Sequence, residues 1–340
     1  MSTANQKIQH IIDEVITVVI IQADNPDADS LGSALALEQI LGAMGKQPYL
    51  YCGVEIPGYL RYLSGWDRVS SELPKQFDAS IIVDASTTTL LEKLQQSGQQ
   101  AWVAAKPCIV LDHHATVDHL IPYATVNVTD GERSSTGELI YVIAKELQWP
   151  LGVTAQTHIM TAILGDTQGL SNQLAKAQTY KIMGEMIAAG VDRATLEEAR
   201  RAYSKMPAVI YKYKARLIDH SEITDDGSVI CVTVPQIEIN QYSPLYNPGP
   251  LIQGDMLQVE GVRVAIVFKS YDDGKVTAAI RCNPGAGIGA LLASHFGGGG
   301  HDYASGFKVT GSRPFEDIKA ECLSFAQALL DNLEPTDAAL

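Results

Sequence analysis

The apolar run Cys108-Ile109-Val110-Leu111 stops at Asp112-His113-His114, and that junction constrains the fold more than any other stretch of the chain. Four apolar residues in a row read as a strand buried on both faces, as in a parallel sheet. Such sheets gather their ligands at the carboxyl ends of the strands. An acid and two imidazoles at a strand end are costly to bury unless they bind something. One Asp-His-His can arise by chance, so the question is whether other strands deliver matching side chains.

They do. The run Ile16-Thr17-Val18-Val19-Ile20-Ile21 opens into Ala23-Asp24-Asn25-Pro26-Asp27-Ala28-Asp29-Ser30, followed by a helix over 31–44 stopped by Gly45. Residues 48–52 and 79–83 read as further strands, the second ending at Asp84, and a helix over 154–164 runs into Gly165-Asp166-Thr167. Alternating strands and helices predict an α/β fold, a doubly wound parallel sheet, for an N-terminal domain over 1–196. A charged helical linker is expected over 197–218. A second, smaller α/β domain follows over 219–335, with strands near 229–234, 262–268, 276–281 and 307–310 and a closing helix over 315–333.

Composition narrows the function classes. The 340 residues are 46% hydrophobic and 19% charged, and no apolar run approaches the ~20 residues a membrane span needs. The polar N-terminus lacks a secretory h-region, so the expected location is cytoplasmic, with no membrane partner. A net charge of −14 argues against long duplex nucleic acid as the main partner but leaves room for short oligonucleotides in a local basic pocket. The five cysteines are dispersed without a C-x-x-C pair, which fits reduced thiols and no thiolate zinc site.

Asp27, Asp29, Asp84, Asp112 and Asp166 thus join His113 and His114 at strand ends and neighbouring loops. Taken singly, each acid reads as a helix cap or a solvated turn residue, and Asp29 before Ser30 could simply cap its helix. Jointly they form a donor set of carboxylates with a minority of imidazole. That set suits manganese or magnesium, with iron or zinc fitting less well, and it is large enough for two ions acting in phosphoryl transfer.

The stretches Asn25-Pro26-Asp27-Ala28-Asp29-Ser30, Asp84, Asp112-His113-His114 and Asp166-Thr167 resemble the four successive motifs of the DHH phosphoesterase superfamily. Gly297-Gly298-Gly299-Gly300-His301, with Ala304-Ser305-Gly306-Phe307, resembles the DHH-associated domain of its first subfamily. That subfamily includes RecJ-type exonucleases, nanoRNases with nucleotide-phosphatase activity and cyclic-dinucleotide phosphodiesterases. The resemblance implies that Asp27 and Asp84 hold a first metal ion and that Asp29, Asp84, His113 and Asp166 hold a second, with Asp84 bridging. It implies a phosphate or leaving-oxygen contact for His114, oriented by Asp112. It also implies substrate binding by Arg281, Gly298, Gly299, Gly300 and His301. Two divalent ions are expected, manganese first, with a small nucleotide or short oligonucleotide as substrate held in a cleft between the domains. A homodimer is a further expectation.

One position departs from the family pattern. A metal-binding histidine normally stands four residues before the first motif aspartate, and here that residue is Ala23. Either Asp24 reaches the ion from the loop or water completes a weak site. The reading that follows is a metal-dependent phosphohydrolase of the nanoRNase and nucleotide-phosphatase type. A catalytically weakened nucleotide-binding regulator is the alternative, and a pyrophosphatase or exopolyphosphatase is the enzymatic rival. After Asp166-Thr167 the chain has Gln168-Gly169-Leu170 where an aromatic is expected. Two stretches stay open between roles. Ser134-Ser135-Thr136 either touch phosphate at a helix N-terminus or merely cap it. The basic stretch from Arg200 to Arg216 reads as a solvated helix face that could also attract anions.

Overall fold

The computed structural model describes residues 3–85, 87–114, 120–203, 205–243 and 246–333, with the side chain of His301 outside that set. The chain divides into two compact units, Met1–Lys205 and Met206–Leu340.

Short runs with β-branched or aromatic residues become the strands of the first unit: β1 (Thr17–Ile21), β2 (Gln47–Tyr51), β3 (Ala79–Val83), β4 (Cys108–Asp112) and β5 (Val126–Thr129). All pair in parallel, in the order β2-β1-β3-β4-β5. Its helices are α1 (Thr3–Glu14), α2 (Ala28–Ala43), α3 (Glu92–Gln96), α4 (Gln100–Ala104), α5 (Thr136–Leu147), α6 (Val153–Asp166), α7 (Ala177–Ala188) and α8 (Arg193–Tyr203). Strand alternation sorts them into two layers. Val18 and Ile20 join the core formed with α1, α2, α5, α6 and α7. Val19 and Ile21 point the other way, toward Leu94 of α3 and Val103 of α4. Each fully buried Ile or Leu here contributes about 1.5–3 kcal/mol.

The second unit holds β6 (Glu222–Ile223), β7 (Val229–Pro235), β8 (Val264–Ser270), β9 (Val276–Cys282), β10 (Gly299–His301) and β11 (Ala304–Val309). They form one sheet in the order β10-β11-β9-β8-β7-β6, in which only β7 and β8 are parallel. Helices α9 (Ala208–Asp219), α10 (Gln236–Tyr242), α11 (Pro248–Met256), α12 (Gly289–His295) and α13 (Phe315–Asp331) complete it. Ile230, Val232 and Val234 pack toward α9, α10 and α11, while Val229 and Cys231 pack toward α12 and α13.

Two differences from the sequence reading have local causes. The helix expected over 197–218 is two helices, α8 and α9, with Pro207 as the N-cap residue of the second. Proline disfavours helical backbone at the residue before it, which stops a continuous helix. The sequence reading does not contain α10, which is only seven residues long, or α11, whose Gly and Pro content is poor in helix signal. Burial of Tyr242, Leu251, Ile252 and Met256 holds them in place. Among the described residues no helix is long and apolar enough to cross a membrane.

Candidate active site

Close helix packing precedes the chemistry. A Cβ on Gly32 of α2 would stand 2.7 Å from the backbone oxygen of His158 in α6, and one on Gly137 of α5 would stand 2.4 Å from Ala162 Cβ. Only glycine permits these approaches. They bring the N-termini of α2 and α5 to α6, whose last residue is Asp166.

Asp29, fully buried in the first turn of α2, accepts hydrogen bonds from Ser33 Oγ at 3.0 Å, Thr136 N at 2.7 Å and Gly137 N at 2.9 Å. The two amides belong to the first turn of α5, an end where a carboxylate is stabilised by the helix dipole. This decides the role of Ser134-Ser135-Thr136. Ser135 Oγ caps α5 by accepting from Glu138 N at 3.0 Å, and the next two amides hold Asp29 rather than an external phosphate. Asp84 follows β3 with φ 56°, a left-handed backbone that Asp tolerates better than most residues, and Thr136 Oγ1 donates to its Oδ1 at 3.3 Å.

His113 and His114 leave β4 in different directions. His113 Nε2 lies 2.8 Å from Asp166 Oδ2, 3.6 Å from Asp29 Oδ2 and 3.9 Å from Asp84 Oδ1. Its Nδ1 is 3.4 Å from the Arg133 carbonyl, a contact that turns Nε2 toward the acids. His114 is 56% exposed at its side chain, with Nδ1 2.7 Å from Asp112 Oδ1 and 3.8 Å from Asp84 Oδ1. Two donor groups result, Asp84-His113-His114 and Asp29-His113-Asp166, each with its ligand atoms within 4.8 Å of one another. His113 is common to both. Asp27 stands outside them as the N-cap of α2, its Oδ1 accepting from Ser30 N at 2.9 Å.

The electrostatics of this cluster call for a cation. Burial, then the charge of Asp166, pushes the Asp29 carboxyl up to about 7. Burial and the charges of Asp29, Asp27, Asp166 and Asp112 push Asp84 well above the usual carboxylate range. Asp27 is raised chiefly by burial. Burial alone would lower His113, yet its contact with Asp166 and the charge of Asp29 hold it up at about 9. His114 is raised first by its hydrogen bond to Asp112. Desolvated carboxylates that repel one another, with imidazole nitrogens turned inward, match the donor chemistry of divalent metal sites.

Ala23 lies just beyond β1. Ile21 pairs with Ile82, and Val83 with Leu111, and the pairing of these strands ends there. The methyl is buried among Val19, Ile21, Tyr51, Ala85 and Leu91. Asp24 Oδ2 accepts from Lys93 N at 2.7 Å, in the first turn of α3, while its buried Oδ1 has no hydrogen-bond partner among the described residues.

In the second unit, Arg281 of β9 pairs with Ala304 of β11, which pairs with His301 of β10, so the two basic positions share one row of the sheet. Arg281 Nη1 donates to the Ile280 carbonyl at 2.9 Å. His158 is a buried packing residue, its imidazole pushed down to about 4 by burial. Sequence reasoning missed the Arg133 carbonyl and the Thr136 and Gly137 amides as supports of the cluster. Backbone groups carry no residue signature, so no signal in the sequence could have found them.

Residues 17–165 match the DHH family, N-terminal domain. The chain is 25% identical over 309 residues to a probable bifunctional oligoribonuclease and PAP phosphatase NrnA of Streptococcus mutans, covering 90% of this chain and 93% of that protein. It is 23% identical over 297 residues to the bifunctional oligoribonuclease and PAP phosphatase NrnA of Bacillus subtilis, covering 86% and 89%. An exopolyphosphatase-related protein from Bacteroides fragilis has the same fold, with a TM-score of 0.82 at 17% identity over 97% of this chain and 98% of that one.

Proposed function

We propose that the chain is a member of the DHH superfamily, whose N-terminal domain matches residues 17–165, and that it is a metal-dependent phosphohydrolase. Its substrates would be small nucleotides and very short oligonucleotides, as in a nanoRNase with nucleotide-phosphatase activity. The observation that carries this reading is the pair of donor groups sharing His113 at the carboxyl edge of the parallel sheet. Relatives named as oligoribonuclease and PAP phosphatase align over most of their own length, which favours turnover over a sensor role.

Asp29, Asp84, Asp166 and His113 would hold divalent ions, with Asp27 at the edge of the set and manganese as the metal that donor chemistry favours. Such ions, when bound, supply an activated water and neutralise charge developing on the phosphoryl group. The chain's own residues then orient and protonate. Asp112 fixes the His114 ring through Nδ1, so that Nε2 of this half-exposed imidazole is presented to the substrate. A histidine whose protonated form is favoured by that carboxylate can donate to a phosphoryl or leaving oxygen. Arg281, Gly298, Gly299, Gly300 and His301 would bind a phosphate of the substrate, with the glycines allowing backbone amides close to it.

The test is product release with added manganese from adenosine bisphosphate, linear di-adenylate, a four-residue RNA, a cyclic dinucleotide, pyrophosphate and polyphosphate. Turnover of a nucleotide that stops with chelator is the expected result. Silence on nucleotides with turnover of pyrophosphate or polyphosphate would overturn the substrate class. Tight nucleotide binding with no turnover at all would make the protein a regulator.

Ala23 yields a second prediction. Ala23→His should tighten manganese binding about tenfold, on the scale at which single supporting groups tune a metal site. The larger side chain must displace apolar neighbours, so the metal-free protein should lose about 1–3 kcal/mol. Titration calorimetry and thermal melting with chelator read the two effects separately. Unchanged manganese affinity would remove position 23 from the metal site.

A further inference from the structure

The first unit contains a cavity of about 520 Å³ lined by chain neighbours of the acid cluster rather than by its members. They are Ala28, between Asp27 and Asp29 in the chain, and Gly165, next to Asp166. Helix α8 contributes Arg193, Glu197, Arg200 and Arg201 to the lining, and Tyr59 and Tyr62 add aromatic rings to it. The volume lies within the range of small-molecule sites.

Charge and ring chemistry define what fits. Three arginines against one glutamate give this lining a net of +2 in a chain of net charge −14. Glu197 anchors Arg200 through two bonds, at 2.8 and 2.7 Å, and Arg201 through one, at 2.9 Å. Arg201 is 75% exposed at its side chain and keeps N–H donors beyond that bond. Both tyrosines line the cavity. Tyr59 donates to the Pro26 carbonyl at 3.5 Å, and its phenol is raised by burial and by the charge of Asp27. Tyr62, pushed up to about 12 mainly by burial, feels Arg200 and Glu197 instead. Aromatic faces beside guanidinium groups recognise a flat ring joined to an anion.

We propose that this cavity is a subsite for a second nucleotide of a short oligonucleotide, its base against Tyr59 and Tyr62 and its phosphate against Arg193 and Arg201. The proposal rests on the reading of the acid cluster as the hydrolytic centre, because Ala28 and Gly165 line the cavity and adjoin Asp27, Asp29 and Asp166 in the chain. The aromatic expected after Asp166-Thr167 is then replaced by tyrosines from a different part of the chain. The basic face of α8 acquires a role beyond solvation.

The experiment uses the full chain, Tyr59→Ala and Arg201→Gln, both at exposed side chains where folding should tolerate the change. With manganese, the ratio of kcat/KM for tetra-adenylate to that for adenosine 3′,5′-bisphosphate should fall about tenfold in each variant, the scale of one lost stacking or guanidinium contact. An unchanged ratio, whether both rates hold or fall together, overturns the subsite. Adenosine monophosphate binding with chelator present gives a second reading that needs no turnover. Wild type should bind it and Tyr59→Ala should bind about tenfold more weakly. No binding by wild type, or equal binding by the variant, overturns the proposal. Hydrolysis that fails while this binding difference persists would remove the hydrolase reading and leave the subsite.

Discussion

Replacing Asp84 by asparagine is expected to lower kcat for phosphoester hydrolysis by on the order of 10³-fold or more, the cost of removing charge stabilisation and metal ligation together. Asparagine has the same shape and also tolerates the left-handed backbone at φ 56°, so the fold should persist. Burial and the charges of Asp29, Asp27, Asp166 and Asp112 all disfavour the ionised form of Asp84. The substitution removes that repulsion. The metal-free variant should therefore melt at or above the wild-type temperature, while manganese binding by calorimetry and manganese-dependent turnover both disappear. Full activity in a folded Asp84→Asn protein would sink the assignment of this carboxylate to the metal site.

The second large effect lies in the glycine run of the other unit. Gly298→Ala should destabilise the protein by about 3 kcal/mol, the upper end of ordinary overpacking. A Cβ there would stand 2.3 Å from the Gly306 carbonyl oxygen and 2.6 Å from Phe307 Cα, and backbone cannot swing aside as a flexible side chain can. Phe307 also stacks on Phe296 at 4.3 Å between ring centroids, so a shift of β11 propagates into the core. Gly299→Ala meets nothing within 4 Å and should leave stability within about 1 kcal/mol. Its effect should fall on KM instead, if backbone at that position approaches a phosphate. Urea unfolding separates the pair, and equal destabilisation by both would contradict this division of labour.

The contrast between Gly298 and Gly299 shows where sequence reading stops. Four consecutive glycines carry one signature, and the resemblance assigns them one job. Packing of β10 on β11 makes Gly298 a structural requirement and leaves Gly299 open.

Much of the rest was determined locally. The strands around Val18, Ile81 and Val110 are β-branched runs too short for helices, and the acids and imidazoles at their ends were legible because a parallel sheet brings strand ends to one edge. Tertiary structure alone decided what depends on residues far apart in the chain. Asp29 is seated by the amide of Thr136, 107 residues away. Ala23 and Asp24 are adjacent, yet one is buried among apolar side chains while the other accepts a hydrogen bond from the first turn of α3. Tyr59, Tyr62 and Arg201 meet around one cavity without any shared spacing. Periodicity and strand-end chemistry are properties of neighbouring residues. The seating of a buried carboxylate depends on which helix ends the core brings together, and the close approaches at Gly32 and Gly137 fix that only after the chain has folded.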